Sequence, residues 1–253
     1  MLKKKAKDHL FRDIKKNQKD EVVEKIFEYS CPRKSFFMMM ILSAVICTMG
    51  ILMDNAAVII GAMLVAPMLA SVLAVSLGVV MADFKLIFRS LRVVLEAFLF
   101  SLGFSYLLAL ALDSPEVINH EMFLRMDLSV EGFVVALAAG LAAALSFVRK
   151  ELSQYITGTV IAVALVPPIS MAAIALRMLD MEMFYSSLVV FGSNIIGIVL
   201  TSILVFSLTS FYSSRKKVDK ELKEEDNLLN HDSSKEKGMK AWLRDVKNLF
   251  TFK

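Results

Sequence analysis

The sequence predicts an all-α integral membrane protein. It reads as six transmembrane helices in a 3+3 inverted-topology repeat, with helices two and five broken by proline. Three observations predict this. The 253 residues are 57% hydrophobic with a mean hydropathy of +0.61, whereas a soluble domain is typically half apolar or less. Charge is segregated: of 29 Lys and Arg, eleven precede Ser35 and eleven follow Tyr212. Three of the five prolines lie inside long apolar runs, in "GAMLVAPML" (Gly61–Leu69) and "AVALVPPIS" (Ala162–Ser170).

Runs of about 18 or more apolar residues read as membrane helices. Six such spans are expected, at Ser35–Met53, Ala56–Val80, Leu91–Leu112, Glu131–Phe147, Ile156–Leu176 and Phe184–Tyr212. They divide the chain into a basic amphipathic tail (1–34), a first three-helix repeat (35–112), an outer loop (113–130), a second repeat (131–212) and a linker with an amphipathic helix (213–253). A charged tail precedes the first span, so that span reads as an uncleaved anchor rather than a signal peptide. Cys31 and Cys47 are poorly placed for a disulfide and read as apolar filler.

One side of the expected membrane holds both tails with Lys85, Arg89, Arg92, Arg149 and Lys150. The other holds only Arg125 and Arg177, among acidic residues such as Asp54, Asp113, Glu116, Asp127 and Asp180. The positive-inside rule then places both termini in the cytoplasm and the protein in the cytoplasmic (inner) membrane.

Pro67 and the pair Pro167–Pro168 each fall about twelve residues into their spans, near the bilayer midplane. The similarity continues: Met81, Asp83, Phe88, Ser90 and Leu91 fall opposite Met178, Asp180, Tyr185, Ser187 and Leu188. The proline pair needs a three-residue slip in that register. A repeat of three spans must enter the membrane from the opposite side in its second copy. Matched proline-interrupted helices are the best sequence pointer to a midplane site in such a fold.

Proline lacks an N–H and clashes with the carbonyl four residues earlier. Pro67 therefore frees the carbonyl of Met63, and Pro167 and Pro168 free those of Val163 and Ala164. Ala66 and Val166 are pushed from helical geometry. Each break offers an amide end suited to anions and a carbonyl end suited to cations. The expected substrate-binding set is Asn55, Met63, Ala66, Pro67, Val163, Ala164, Val166, Pro167, Pro168, Glu96, Ser193 and Asn194, with Glu96 and Asn194 near opposite mouths. A plain kink repaired by neighbouring helices is the competing reading.

Glu96 is the one acid inside a span. It reads either as an ion pair with Arg92 or Arg89 or as a proton or cation site. No His/Cys/Asp cluster has metal spacing, and there is no Ser–His pairing and no phosphate loop. The expectation is therefore no enzyme, no catalytic residue, no metal and no cofactor. Small residues recur every fourth position at Ala62, Ala66, Ala70, Ala74 and Gly78, at Ala136, Gly140 and Ala144, and at Ser193 and Gly197. Such stripes let helix backbones approach, within one chain or in a homo-oligomer.

The tails carry amphipathic patterns: Leu10, Phe11 and Ile14, then Val22, Val23, Ile26 and Phe27, and later Met239, Trp242, Leu243, Val246, Leu249 and Phe250. With a net charge of +4 they suggest partners in the lipid bilayer and its anionic headgroups. Both tails mix acids with bases, which argues against nucleic acid.

The stretches "DNAAVIIGAMLVAPMLASVL", "SFVRKELSQYITGTVIAVALVPPISMAAIAL" and "FGSNIIGIVL" resemble the core of the prokaryotic membrane protein family called domain of unknown function 389. The resemblance covers roughly Ser35–Ser210. It rests on N-x-x-x-I-x-G-A-M-L-x-x-P from Asn55 to Pro67 and on A-L-V-P-P from Ala164 to Pro168. It implies the membrane fold and supplies no activity, substrate or catalytic residue. Members of that family look to carry a larger soluble region before the membrane part, where this chain has a short tail. Two functional classes follow: a transporter or channel for a small ion or polar solute, or a scaffold, sensor or lipid-organising protein that transports nothing.

Overall fold

The computed structural model describes residues 16–112, 119–126, 129–149, 151–152, 164–209, 211 and 218–224. They fall in two compact units, residues 1–215 and 216–253. In the second unit, 218–224 is helical, and the amphipathic stretch from Met239 to Phe250 lies outside the described residues. So do Leu10, Phe11, Ile14 and the first half of expected span five.

Among the described residues the first unit is all helix. Its elements are α1 (Lys16–Ser30), α2 (Lys34–Leu52), α3 (Ala56–Val65), α4 (Met68–Met81), α5 (Phe84–Ala111), α6 (His120–Met126), α7 (Val130–Val148), α8 (Val166–Met178) and α9 (Met181–Leu208). Four of them, α2, α5, α7 and α9, are long and apolar enough to cross a membrane. The pair α3 and α4, bent by 54°, makes a fifth if counted as one broken span. Helix α8 is apolar and has 13 residues.

Boundary chemistry explains most ends. Asn55, Asp83, Ser129 and Asp180 cap α3, α5, α7 and α9, each side chain accepting an amide of the first turn. Helix α5 begins at Phe84, seven residues before the expected start at Leu91. The Asp83 cap sets that start, and Lys85, Arg89 and Arg92 lie on the helix rather than in a loop. Long basic side chains can keep their charge at the interface while the helix continues inward. The expected outer loop 113–130 contains α6, a seven-residue helix too short to show a period.

Three corners share one geometry. Ala82 adopts the left-handed conformation, its N–H donates to Val79 O at 3.1 Å, and the Asp83 N–H donates to Gly78 O at 3.0 Å. Leu179 and Asp180 repeat this onto Leu176 O and Ala175 O at 3.3 and 3.0 Å. Asp54 and Asn55 repeat it onto Ile51 O and Gly50 O at 3.2 and 2.9 Å. These are Schellman closures that pass directly into the next helix cap. Left-handed geometry costs a non-glycine residue about 1–2 kcal/mol, so each corner is held against strain. A Cβ at Gly78 would stand 3.1 Å from Ile87 N, so the two arms of that corner need glycine there.

The two helices that follow the prolines form the core. Eleven of the 14 residues of α4 are buried, and ten of the 13 in α8. Helix α5 packs on α4, α8 and α2, while α9 packs on α4, α8 and α7. The outer faces of α5 and α9 expose Leu95, Leu99, Leu107, Val189, Ile196 and Leu200. Apolar side chains on the outside of long apolar helices are what a lipid solvent selects. The α1 stripe expected at a membrane surface, Val22, Val23, Ile26 and Phe27, is buried, and α1 packs on α4 and α7. At the opposite ends of the bundle, α6 is pinned to the α2–α3 corner. Asn119 Nδ2 donates to Ile51 O at 2.7 Å, and the Glu121 N–H donates to Asp54 Oδ1 at 2.9 Å.

Candidate midplane site at the helix breaks

The first break takes two residues. Ala66 is extended (φ −73°, ψ 119°) and Pro67 follows (φ −83°, ψ 12°), as the pre-proline clash requires. Helix α3 therefore ends at Val65 and α4 restarts at Met68. One orphaned carbonyl of the last α3 turn has a donor, because Ser43 Oγ on α2 donates to Ala62 O at 2.7 Å. Pro67 provides no side-chain cap. The amides of Met68, Leu69 and Ala70 have no intrahelical acceptor, as in any first turn, and all three residues are buried.

The second break is built differently. Helix α8 begins at Val166 with Pro167 and Pro168 next, and Leu165 gives no side-chain cap. The prolines remove two of the donors that a first turn would offer. Asn194 Nδ2, from the middle of α9, donates to Ala164 O at 2.8 Å. That is the carbonyl whose usual helical donor would be residue 168, a proline. Asn194 thus lies at the break and not at a mouth, since it and Ala164 are equally far from the α8–α9 corner.

The remaining expected residues disperse. Met63 is buried at the end of α3, Ala66 and Pro67 are half-buried, and Val166, Pro167 and Pro168 are buried. Val163 lies outside the described residues. Asn55 caps α3 at its far end, with Oδ1 accepting from Ala57 N and Val58 N at 3.0 and 3.3 Å. It is therefore not brought to the break. Glu96 Oε1 accepts from Arg92 Nε at 2.7 Å, and the Arg92 side chain is 79% exposed. Ser193 is half-buried beside Asn194. Among the described residues no group of three or more His, Cys, Asp or Glu could hold a metal ion.

Sequence reasoning missed a set of buried serines on the helices that pack around the breaks. Ser71 (α4), Ser101 and Ser105 (α5), Ser170 (α8) and Ser202 (α9) are all 0% exposed. The Ser105 and Ser170 oxygens are 3.2 Å apart. The Ser71, Ser101 and Ser202 hydroxyls have no hydrogen-bond partner among the described residues. Buried helical hydroxyls usually bond back to the carbonyl four residues earlier, as Ser76, Ser146 and Ser187 do here. The i, i+4 spacing of Ser101 and Ser105 is the sequence signal that could have found that pair.

The profile of the family described as Domain of unknown function (DUF389) matches residues 63–200, a stretch that holds both breaks and four of the five serines. An uncharacterized protein of Methanocaldococcus jannaschii is 32% identical over 178 residues, covering 69% of this chain and 54% of that protein. The chain thus spans about half the length of this relative. No solved structure matches. With the profile covering more than half of its length, the chain belongs to the DUF389 family.

Proposed function

We propose that this protein is a small transporter or channel for a small ion or polar solute, with its site where the two proline breaks meet the buried serines. In this reading the membrane part has six spans in two inverted repeats, and the segment before α8 completes the fifth span. One observation carries it. The two buried post-proline helices, α4 and α8, leave through the same corner into helices of 28 residues each, and each long helix packs on the other half's post-proline helix. The helices α2 and α7, at 19 residues each, support the same pairing. Inverted repeats with broken helices at matching depth are a transporter architecture.

Orientation follows from charge, with both termini cytoplasmic and the membrane the inner one. Single cysteines at Ser114→Cys and Ser234→Cys, in a background lacking Cys31 and Cys47, test it. An impermeant thiol reagent on intact cells should label position 114 and spare 234, and the reverse pattern sinks the orientation.

A scaffold or sensor is the second reading. It is favoured by Ser43 and Asn194, which already satisfy a carbonyl at each break. Flux in proteoliposomes separates the two. Replacing Pro67, Pro167 and Pro168 by alanine restores three backbone donors and straightens the helices. The transport reading expects a folded variant whose flux falls sharply. A more stable variant with unchanged flux, or wild type with no flux across a broad panel of ions and polar solutes, gives the case to the scaffold.

A further inference from the structure

A short helix precedes each expected repeat, and the two short helices hold matching places. Three residues separate α1 from α2, and three separate α6 from α7. Helix α1 packs on α4, the post-proline helix of its own half, and α6 packs on α8, the post-proline helix of its own. Each also reaches the 19-residue helix of the other half at the same position. The Tyr29 ring meets the Phe147 ring edge-on, with centroids 6.4 Å apart, and Asn119 Nδ2 donates to the Ile51 carbonyl. Phe147 and Ile51 each stand one residue before the end of their helices, α7 and α2.

The two attachments lie at opposite ends of the bundle. Helix α1 adjoins the start of α2, and Asn119 bonds its end, about 28 Å away at 1.5 Å per residue. Each short helix is thus tied to one half by the chain and to the other by side chains. Between these ends the halves meet through α5 on α8 and α4 on α9. Stiff halves that tilt about a central contact widen at one end and narrow at the other. The short helix at the widening end then has to let go.

Both attachments are suited to release. Helix α1 docks through Val22, Val23, Ile26 and Phe27, but Asp20 Oδ1 is buried as well, with no hydrogen-bond partner among the described residues. Water would satisfy that oxygen on release. At the other end, the Glu121 N–H donates to Asp54, whose left-handed backbone (φ 51°) is strained.

From this we infer that α1 and α6 are two clasps that work in alternation: each closes one membrane face over the post-proline helix of its own half, and one releases while the other holds. This deepens the transport reading and rests on it for the correspondence of the two halves.

The test uses the full chain in proteoliposomes and N-ethylmaleimide, which crosses the bilayer and so reaches both faces. Cys31, 5% exposed, reports on α1, and Met122→Cys, at a position 0% exposed, reports on α6 in a chain lacking Cys31 and Cys47. Val23→Lys/Ile26→Lys holds α1 off, because docking would bury two unpartnered ammonium groups. Labelling of Met122→Cys should then slow by about tenfold or more. In a chain lacking Cys47, Asn119→Ala/Met122→Lys should slow labelling of Cys31 in the same way. Glu28→Lys, which adds a cation on the exposed face of α1, should leave labelling of Met122→Cys unchanged. Phe123→Cys, at a position 56% exposed, should react fast in every background. Should a lysine variant fail to elute as wild type does, Val23→Ala and Asn119→Ala decide in its place, with smaller changes in the same direction. An opposite-face rate that is unchanged or raised overturns the inference. Reciprocal protection without flux of any solute leaves the clasps standing and removes the transport reading. Flux that falls on proline replacement while the two faces label independently does the opposite.

Discussion

Gly140→Val is expected to abolish the folded bundle, giving aggregated protein on detergent extraction where wild type is monodisperse. Helices α7 and α9 cross at Gly140 and Gly197. A Cβ at Gly140 would meet Thr201 Oγ1 and lie 2.5 Å from Ile198 Cα. Those are atoms of the facing helix near or on its backbone, so no rotamer relieves the contact. At Gly197 a Cβ would stand 3.0 Å from the Ala136 Cβ. Overpacking typically costs about 1–3 kcal/mol. Alanine at Gly140 should fall in that range, and valine, which forces the whole crossing apart, should exceed it. Gly103→Ala is the matched control, since a Cβ there meets nothing within 4 Å and alanine favours helix by about 1 kcal/mol. A Gly140→Val protein that elutes and melts like wild type would show that the crossing is not needed.

Asn194→Leu should destabilise the protein by at most about 1–3 kcal/mol, the cost of leaving a fully buried acceptor unpaired, because the Asn194–Ala164 bond is part-buried. Polar contacts between membrane helices average toward the lower part of that range. The mechanism predicts a specific non-additivity. Pro168→Ala supplies the amide that Ala164 O lacks, so the Asn194→Leu/Pro168→Ala double variant should lose less stability than Asn194→Leu alone. Thermal unfolding in one detergent, taken as a double-mutant cycle, measures the coupling. Strict additivity would mean that Asn194 acts through something other than the Ala164 carbonyl.

The fold was legible where physics acts along the chain. The expected span Ser35–Met53 became α2 within one residue, and Pro67 ended α3 where a missing amide must end it. Asp83 and Asp180, already paired in the sequence register, proved to be matching helix caps. The start of α5 was misread because Lys85, Arg89 and Arg92 look like a loop to a hydropathy scan, although a helix tolerates them at its outer turns. The carbonyl of Ala164 was identified as freed by Pro168, yet its partner was misplaced. Nothing local tells Asn194 that a residue thirty positions earlier needs a donor. Ser71 and Ser101 were invisible for a related reason. A serine in an apolar run is ordinary, and only the packed structure reveals that its hydroxyl bonds neither its own helix nor a neighbour.

The corners at Ala82–Asp83 and Leu179–Asp180 leave no slack. Each joins two helices through two residues, and both of those residues donate their amide hydrogens to the helix before. Each pair of arms therefore turns as one stiff elbow, and Ala66–Pro67 is the place in the first half where the chain can yield. Helix α5 is about 42 Å long at 1.5 Å per residue. A swing of about 5° about its midpoint would carry either end roughly 2 Å. A small change of angle where α3 meets α4 would therefore be carried rigidly through the corner to the far end of α5.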